Sequence, residues 1–128
     1  MTPTNPGTGR VCIDFDNTLC EWGDIHDTNL NFLPGAIEAL LSLNARFEVW
    51  ILTSRVSPHW YAESEYARTS SIAAQKEVVA TIIFNETGLL VPHDRITSEK
   101  IRADWYIDDR AVRFRGDWQA ALAEVMGE

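Results

Sequence analysis

Asp14 and Asp16 stand one residue apart at the end of an apolar run, VCIDFDNTL at 11–19. Residues two apart on a strand point to the same side, so both carboxylates are expected to face one crevice, with Phe15 turned into the core. Asp108 and Asp109 follow a second apolar run, Trp105–Ile107, and Thr53, Ser54 and Arg55 follow a third, FEVWIL at 47–52. Four converging carboxylates repel one another, and some would have to take up protons. A hard divalent cation removes the conflict, and carboxylate, carbonyl and water ligands suit Mg²⁺. His26, His59 and His93 are too scattered to form a site for a softer metal and are expected in surface or capping roles.

Mg²⁺ held by few protein ligands usually coordinates a substrate phosphate as well. Thr53 offers a hydroxyl at a neighbouring strand end and Lys100 a cation shortly before the third strand, both suited to equatorial phosphate oxygens. An Asp, with an ordinary pKa of about 3.9, is ionised at neutral pH and can attack phosphorus, giving an aspartyl-phosphate that water hydrolyses. A second carboxyl two residues on can protonate the leaving oxygen and then deprotonate the water. Ser54, Arg55 and Arg110 adjoin these residues; the arginines offer grip on a second substrate anion, and pairing with the many carboxylates is the equal alternative. Trp22 is a candidate to stack on a substrate base or aromatic group, and anchoring its loop is the competing role. The bland alternatives elsewhere are a turn and helix-cap pair for Asp14 and Asp16, a solvated turn for Asp108 and Asp109, a backbone-bonded hydroxyl for Thr53 and a solvated Lys100.

These groups meet only if the chain folds so that the three strand ends share an edge. Residues 10–15 read as a strand buried on both faces. Pro34 and Gly35 precede Ala36, Ile37, Leu40, Leu41 and Leu43, which have helical spacing with Pro in the first turn. Residues 59–70 are ambiguous, with room for a short helix. Ile72, Val79, Ile82 and Ile83 define a further helix, with Gly88 as its stop. Asp94–Thr97 has the look of a short strand. Trp118, Ala121, Leu122, Val125 and Met126 make a closing amphipathic helix that Asp117 or Gly116 caps. Trp50, Trp60, Trp105 and Trp118 are assigned to core or half-buried packing. Strand and helix alternate, which is the signature of an α/β domain with a parallel sheet covered by helices on both faces. In such sheets ligands bind beyond the carboxyl ends of the strands, where the candidate residues lie.

With these elements assigned, DFDNTL at 14–19 resembles the first motif of the haloacid dehalogenase (HAD) superfamily, VWILTSR around Thr53 its second, Lys100 its third, and YIDDR at 106–110 the double-Asp form of its fourth. The order matches that family's order, and the resemblance covers residues 11–118. It implies a single Rossmann-like (HAD-like) domain at 10–128, after a flexible lead-in at 1–9. It also implies a Mg²⁺-dependent phosphomonoester hydrolase. Asp14 is then nucleophile and metal ligand. Asp16 is acid/base, with its backbone carbonyl on the metal. Thr53 and Lys100 hold the phosphoryl group, Asp109 binds the metal and Asp108 supports it. An Asp at position 16 fits phosphate-ester turnover, since dehalogenases of the superfamily lack it. No insertion long enough for a folded lid follows Leu19 or Thr53, so the chain resembles capless members, and only the loop Cys20–Leu33 is placed to cover the site. Lys100 is followed by Ile101 and Arg102 where relatives often carry Pro, which leaves Arg102 as a second candidate for its role.

Composition bounds the rest. The 128 residues suit one domain, and 45% apolar with 23% charged residues indicates an ordered globular chain. No apolar run approaches the roughly 18 residues of a membrane helix, and the N-terminus has no apolar signal core, so a cytoplasmic protein with Cys12 and Cys20 reduced is expected. A net charge of −8 disfavours nucleic-acid polymers as partners. It leaves small phosphate esters, nucleotides and sugar phosphates among them. An open mouth leaves room for a homodimer across it, though no sequence feature demands one. A phosphoacceptor module of receiver type also clusters Asp, Thr and Lys around Mg²⁺, but receivers carry the acceptor Asp later in the chain, between their acidic pair and the Thr and Lys.

Overall fold

The computed structural model describes residues 9–128, so all of the expected lead-in except Gly9 lies outside the described residues. Strands β1 (Arg10–Asp14), β2 (Glu48–Leu52), β3 (Ile96–Thr97) and β4 (Trp105–Ile107) alternate with helices α1 (Ala36–Asn44), α2 (Pro58–Glu63) and α3 (Ile72–Thr87), and α4 (Trp118–Met126) closes the chain. The strands form one all-parallel sheet in the order β3-β2-β1-β4. This is a Rossmann-like α/β domain with interleaved helices.

Sequence explains most elements directly. Val11, Ile13 and Phe15 join Val49 and Ile51 in one buried cluster with Leu40 of α1 and Val79, Ile82 and Ile83 of α3. Helices α1 and α3 touch each other. That follows from two successive right-handed crossovers progressing the same way across the sheet, which set their helices on the same face. The Ser71 hydroxyl accepts the Ala74 N–H at the start of α3, and Gly88 ends it in the left-handed region at φ 76°. Helix α1 starts at Ala36, two residues beyond the Pro34 that was expected inside its first turn. The ambiguous stretch 59–70 contains α2 and a single 3₁₀ turn at Ala67–Thr69. The strand expected within 94–97 is the two-residue β3.

The last helix departs from expectation. Asp117 caps α4 as anticipated, accepting from the Ala120 N–H at 3.2 Å. Its apolar stripe is not buried: Trp118 is 70% exposed and Val125 68%. Trp118 is therefore not a packing residue of the core; its ring leans on Phe114, with centroids 4.8 Å apart. Local periodicity and a cap are enough to form a helix, but burying its stripe needs a facing surface. The edge strand β4 has three residues, of which Tyr106 and Ile107 are themselves exposed. Trp50, Trp60 and Trp105 are half-buried as expected. Among the described residues, no helix is long and apolar enough to cross a membrane.

Candidate functional site

Because the sheet is parallel, β1, β2 and β4 all deliver their carboxyl ends to one edge. There they border a cleft of about 670 Å³ whose lining includes Asp14, Asp16, Thr53, Ser54, Asp108, Asp109, Arg110 and Trp22. Eight of the candidate site residues are thus in one place. Two, Arg55 and Lys100, are not on the lining.

Asp14 is the last residue of β1 and Asp108 and Asp109 directly follow β4, which pairs with it. Each of the three offers a carboxylate oxygen within 4.8 Å of the others. The Asp14 carboxyl is pushed up to about 7, first by burial and then by a hydrogen bond with Asp109, while the Thr18 hydroxyl, which donates to Asp14 Oδ2 at 3.2 Å, acts the other way. Asp108 Oδ1 accepts the Arg110 N–H at 2.7 Å, and Arg110 Nε stands 3.8 Å from Asp109 Oδ2. The three side chains supply only oxygen donors from partly or fully exposed positions, a set that fits a hard divalent cation.

Asp16 lies beyond the strand, in a tight turn where the Phe15 carbonyl accepts the N–H groups of Leu19 and Cys20 at 3.0 and 3.1 Å. Phe15 is fully buried, as expected, and Asp14 and Asp16 share the cleft. Their carboxylates nevertheless have different company. Asp16 Oδ1 accepts from Arg55 Nε at 2.9 Å and Asp16 Oδ2 from the Thr53 hydroxyl at 3.0 Å. Thr53 in turn accepts the Arg55 N–H at 3.1 Å, so the backbone-bonding role is observed in a side chain that also lines the cleft.

Arg55 is wholly buried. Besides Asp16, its guanidinium donates to the Gly23 carbonyl at 3.3 Å and to Gln75 Oε1 at 3.5 Å, and it lies over the rings of Phe15 and Trp22. Of the two roles considered for it, structural pairing is the one observed. Lys100 is exposed, with its ammonium 4.6 Å from the centroid of Tyr106, a residue in register with Cys12 in the middle of the sheet rather than at its carboxyl edge. Arg102 is exposed as well. His26 and His93 hold surface contacts, to Thr69 and Glu77 respectively.

Several participants were not singled out from sequence. Asn17 sits at φ 62°, in the left-handed region that Asn tolerates better than most side chains, and its Oδ1 accepts the Trp22 N–H at 3.1 Å. Thr18 bonds the would-be nucleophile. Both lie inside the quoted DFDNTL stretch, where short polar residues after a strand signal a side-chain-bonded turn. Gln75 is fully buried in α3 and donates to the Ile25 carbonyl at 2.8 Å. A polar residue within an apolar helical stripe was its only signal.

No family model, characterised protein or solved structure matches the chain. Fold and site together define a Rossmann-like parallel α/β domain with an acidic, hydroxyl-bearing cleft at the carboxyl edge of its sheet.

Proposed function

We propose that the chain is a Mg²⁺-dependent phosphomonoester hydrolase that works through an aspartyl-phosphate on Asp14, as the resemblance to capless HAD phosphatases implies. The observation that carries the reading is the convergence of Asp14, Asp16, Thr53, Asp108 and Asp109 in one cleft from three different strand ends. Of the side chains lining it, four are carboxylates and one, Arg110, is a cation. An anionic ester therefore needs an added positive charge to enter. Asp14, Asp109 and Asp108 would hold Mg²⁺, with the Asp16 backbone carbonyl as a further ligand; bound there, the ion would offset the carboxylates and draw charge from the phosphoryl oxygens.

The Asp14 carboxylate forms the new bond to phosphorus as the ester P–O bond breaks. Asp16 supplies the proton that the departing oxygen takes. Asp16 then removes a proton from water, whose oxygen attacks phosphorus, freeing Asp14 and inorganic phosphate. Thr53 and Lys100 are assigned to the phosphoryl oxygens. For Lys100 this requires its four-carbon stem to swing from the Tyr106 ring toward the cleft. Asp14→Asn should abolish release of phosphate from an aryl phosphate with Mg²⁺ present; wild-type turnover by that variant overturns the assignment.

The Arg55–Asp16 pair supports a second reading, because it occupies both oxygens of the acid/base residue together with Thr53. A phosphoacceptor module would then keep its aspartyl-phosphate. A long-lived phospho-form with negligible phosphate release selects that reading.

A further inference from the structure

Trp22 is the one aromatic side chain lining the cleft among the described residues. Its loop has other attachments. Leu19 just before the loop and Cys20 and Ile25 within it are buried, the last two fully, and Ile25 is gripped twice more through its backbone: its N–H donates to the Tyr66 hydroxyl at 2.9 Å and its carbonyl accepts from Gln75. Cys20 bridges to Phe32, and the Leu33 N–H donates to the Leu19 carbonyl at 2.8 Å. With the loop fixed by these residues, Trp22 is 47% exposed, too much for an anchor.

The ring is nonetheless held in place. The Arg55 guanidinium covers it at 4.9 Å from its centroid and the edge-on ring of Trp60 is 6.2 Å away, while the Trp22 backbone N–H, bound by Asn17, fixes the main chain that carries it. Arg55 cannot follow a ligand, since it is buried and paired to Asp16. One side of the indole is thus occupied by a fixed cation and Trp60 stands edge-on to it, while the residue also lines the cleft that contains Asp14. A rigid aromatic wall offers stacking area with little ordering cost on binding. The cleft has room for more than a phosphate group.

We infer that Trp22 is a stacking platform and that the cleft takes small phosphate monoesters bearing a planar aromatic group, of which nucleoside monophosphates are the prime class. The inference rests on the hydrolase reading for the position of the phosphate. The chain's net charge of −8 points to the monomer rather than a polynucleotide end.

The test compares kcat/KM for adenosine monophosphate and phenyl phosphate with that for glycerol phosphate, in the wild type, Trp22→Phe and Trp22→Leu. Stacking on an aromatic side chain contributes about 1–3 kcal/mol per base, so Trp22→Leu should lower the aromatic-to-aliphatic ratio roughly fivefold or more, through KM, with Trp22→Phe restoring most of it. An unchanged ratio in Trp22→Leu overturns the inference, as does a wild type without preference for the aromatic esters. Calorimetric binding to Asp14→Asn separates this from failure of the hydrolase reading. Adenosine monophosphate binding tighter than glycerol phosphate, with the difference lost in Asp14→Asn/Trp22→Leu, supports the platform even where the wild type releases no phosphate. Equal binding of the two esters overturns it.

Discussion

The buried guanidinium of Arg55 and the cleft carboxylate of Asp16 form an ion pair, Nε to Oδ1 at 2.9 Å, that joins the end of β2 to the turn after β1. Through Gly23 and Gln75 the same guanidinium ties the loop that carries Trp22 to α3, and it covers one face of the Trp22 ring. One residue therefore holds the acid/base candidate, the cleft's aromatic wall and the loop in register.

Removing that guanidinium should be costly. Arg55→Ala leaves the Asp16 charge and the Gly23 carbonyl without their partner, and breaking a buried pair from one side costs about 3 kcal/mol or more. Arg55→Lys keeps the charge but not the fork and should fall between. Urea unfolding followed by circular dichroism checks both; an Arg55→Ala protein as stable as wild type contradicts the proposed network.

Asp14 makes stability depend on pH. Its carboxyl is raised from 3.8 to about 7, chiefly by burial and then by Asp109, so the folded state holds the proton more tightly than the unfolded one. The stabilisation is complete below about pH 4 and is lost as pH rises toward and through 7. Without divalent cations, thermal stability should therefore decline across that interval by more than in Asp14→Asn, which cannot titrate. Asp14→Asn should also melt higher at pH 8, by roughly 4 °C for about 1 kcal/mol in a domain of this size. Thermal melts of both proteins in a chelator-containing pH series give the answer.

Mg²⁺ should stabilise the fold by mass action. At a hundredfold excess over its dissociation constant, an ion bound only by the folded state adds about 2.7 kcal/mol. The rise in Tm should disappear in Asp109→Ala and shrink in Asp108→Ala. A wild-type Tm indifferent to millimolar Mg²⁺ contradicts binding at this cleft.

Both thiols should be inert in the folded protein. Burial is the main cause that pushes Cys12 up to about 11 and Cys20 up to about 12, with nearby carboxylates adding to it. The thiolate is the reactive form. A thiol reagent at pH 8 should label both only on unfolding, and fast labelling of the native chain would contradict their burial.

The sequence by itself determined the elements whose signals are local. Alternation of strand and helix, the apolar runs at 10–15 and 47–52, the Gly88 stop and the Asp117 cap each follow from the conformational preferences of a few neighbouring residues. It also put the acidic and hydroxyl residues at strand ends, and a parallel sheet must bring such ends to one edge. What it left open depended on partners distant in the chain. Whether Arg55 meets a ligand or a carboxylate is decided by the turn that carries Asp16 and by Gln75 on another helix. Lys100 stands on Tyr106 because of where the segment before β4 crosses the sheet. Trp118 lies exposed because an amphipathic stripe specifies a helix without supplying the surface to bury it. Backbone preference is written residue by residue, whereas the environment of a side chain is set by whatever the fold brings against it.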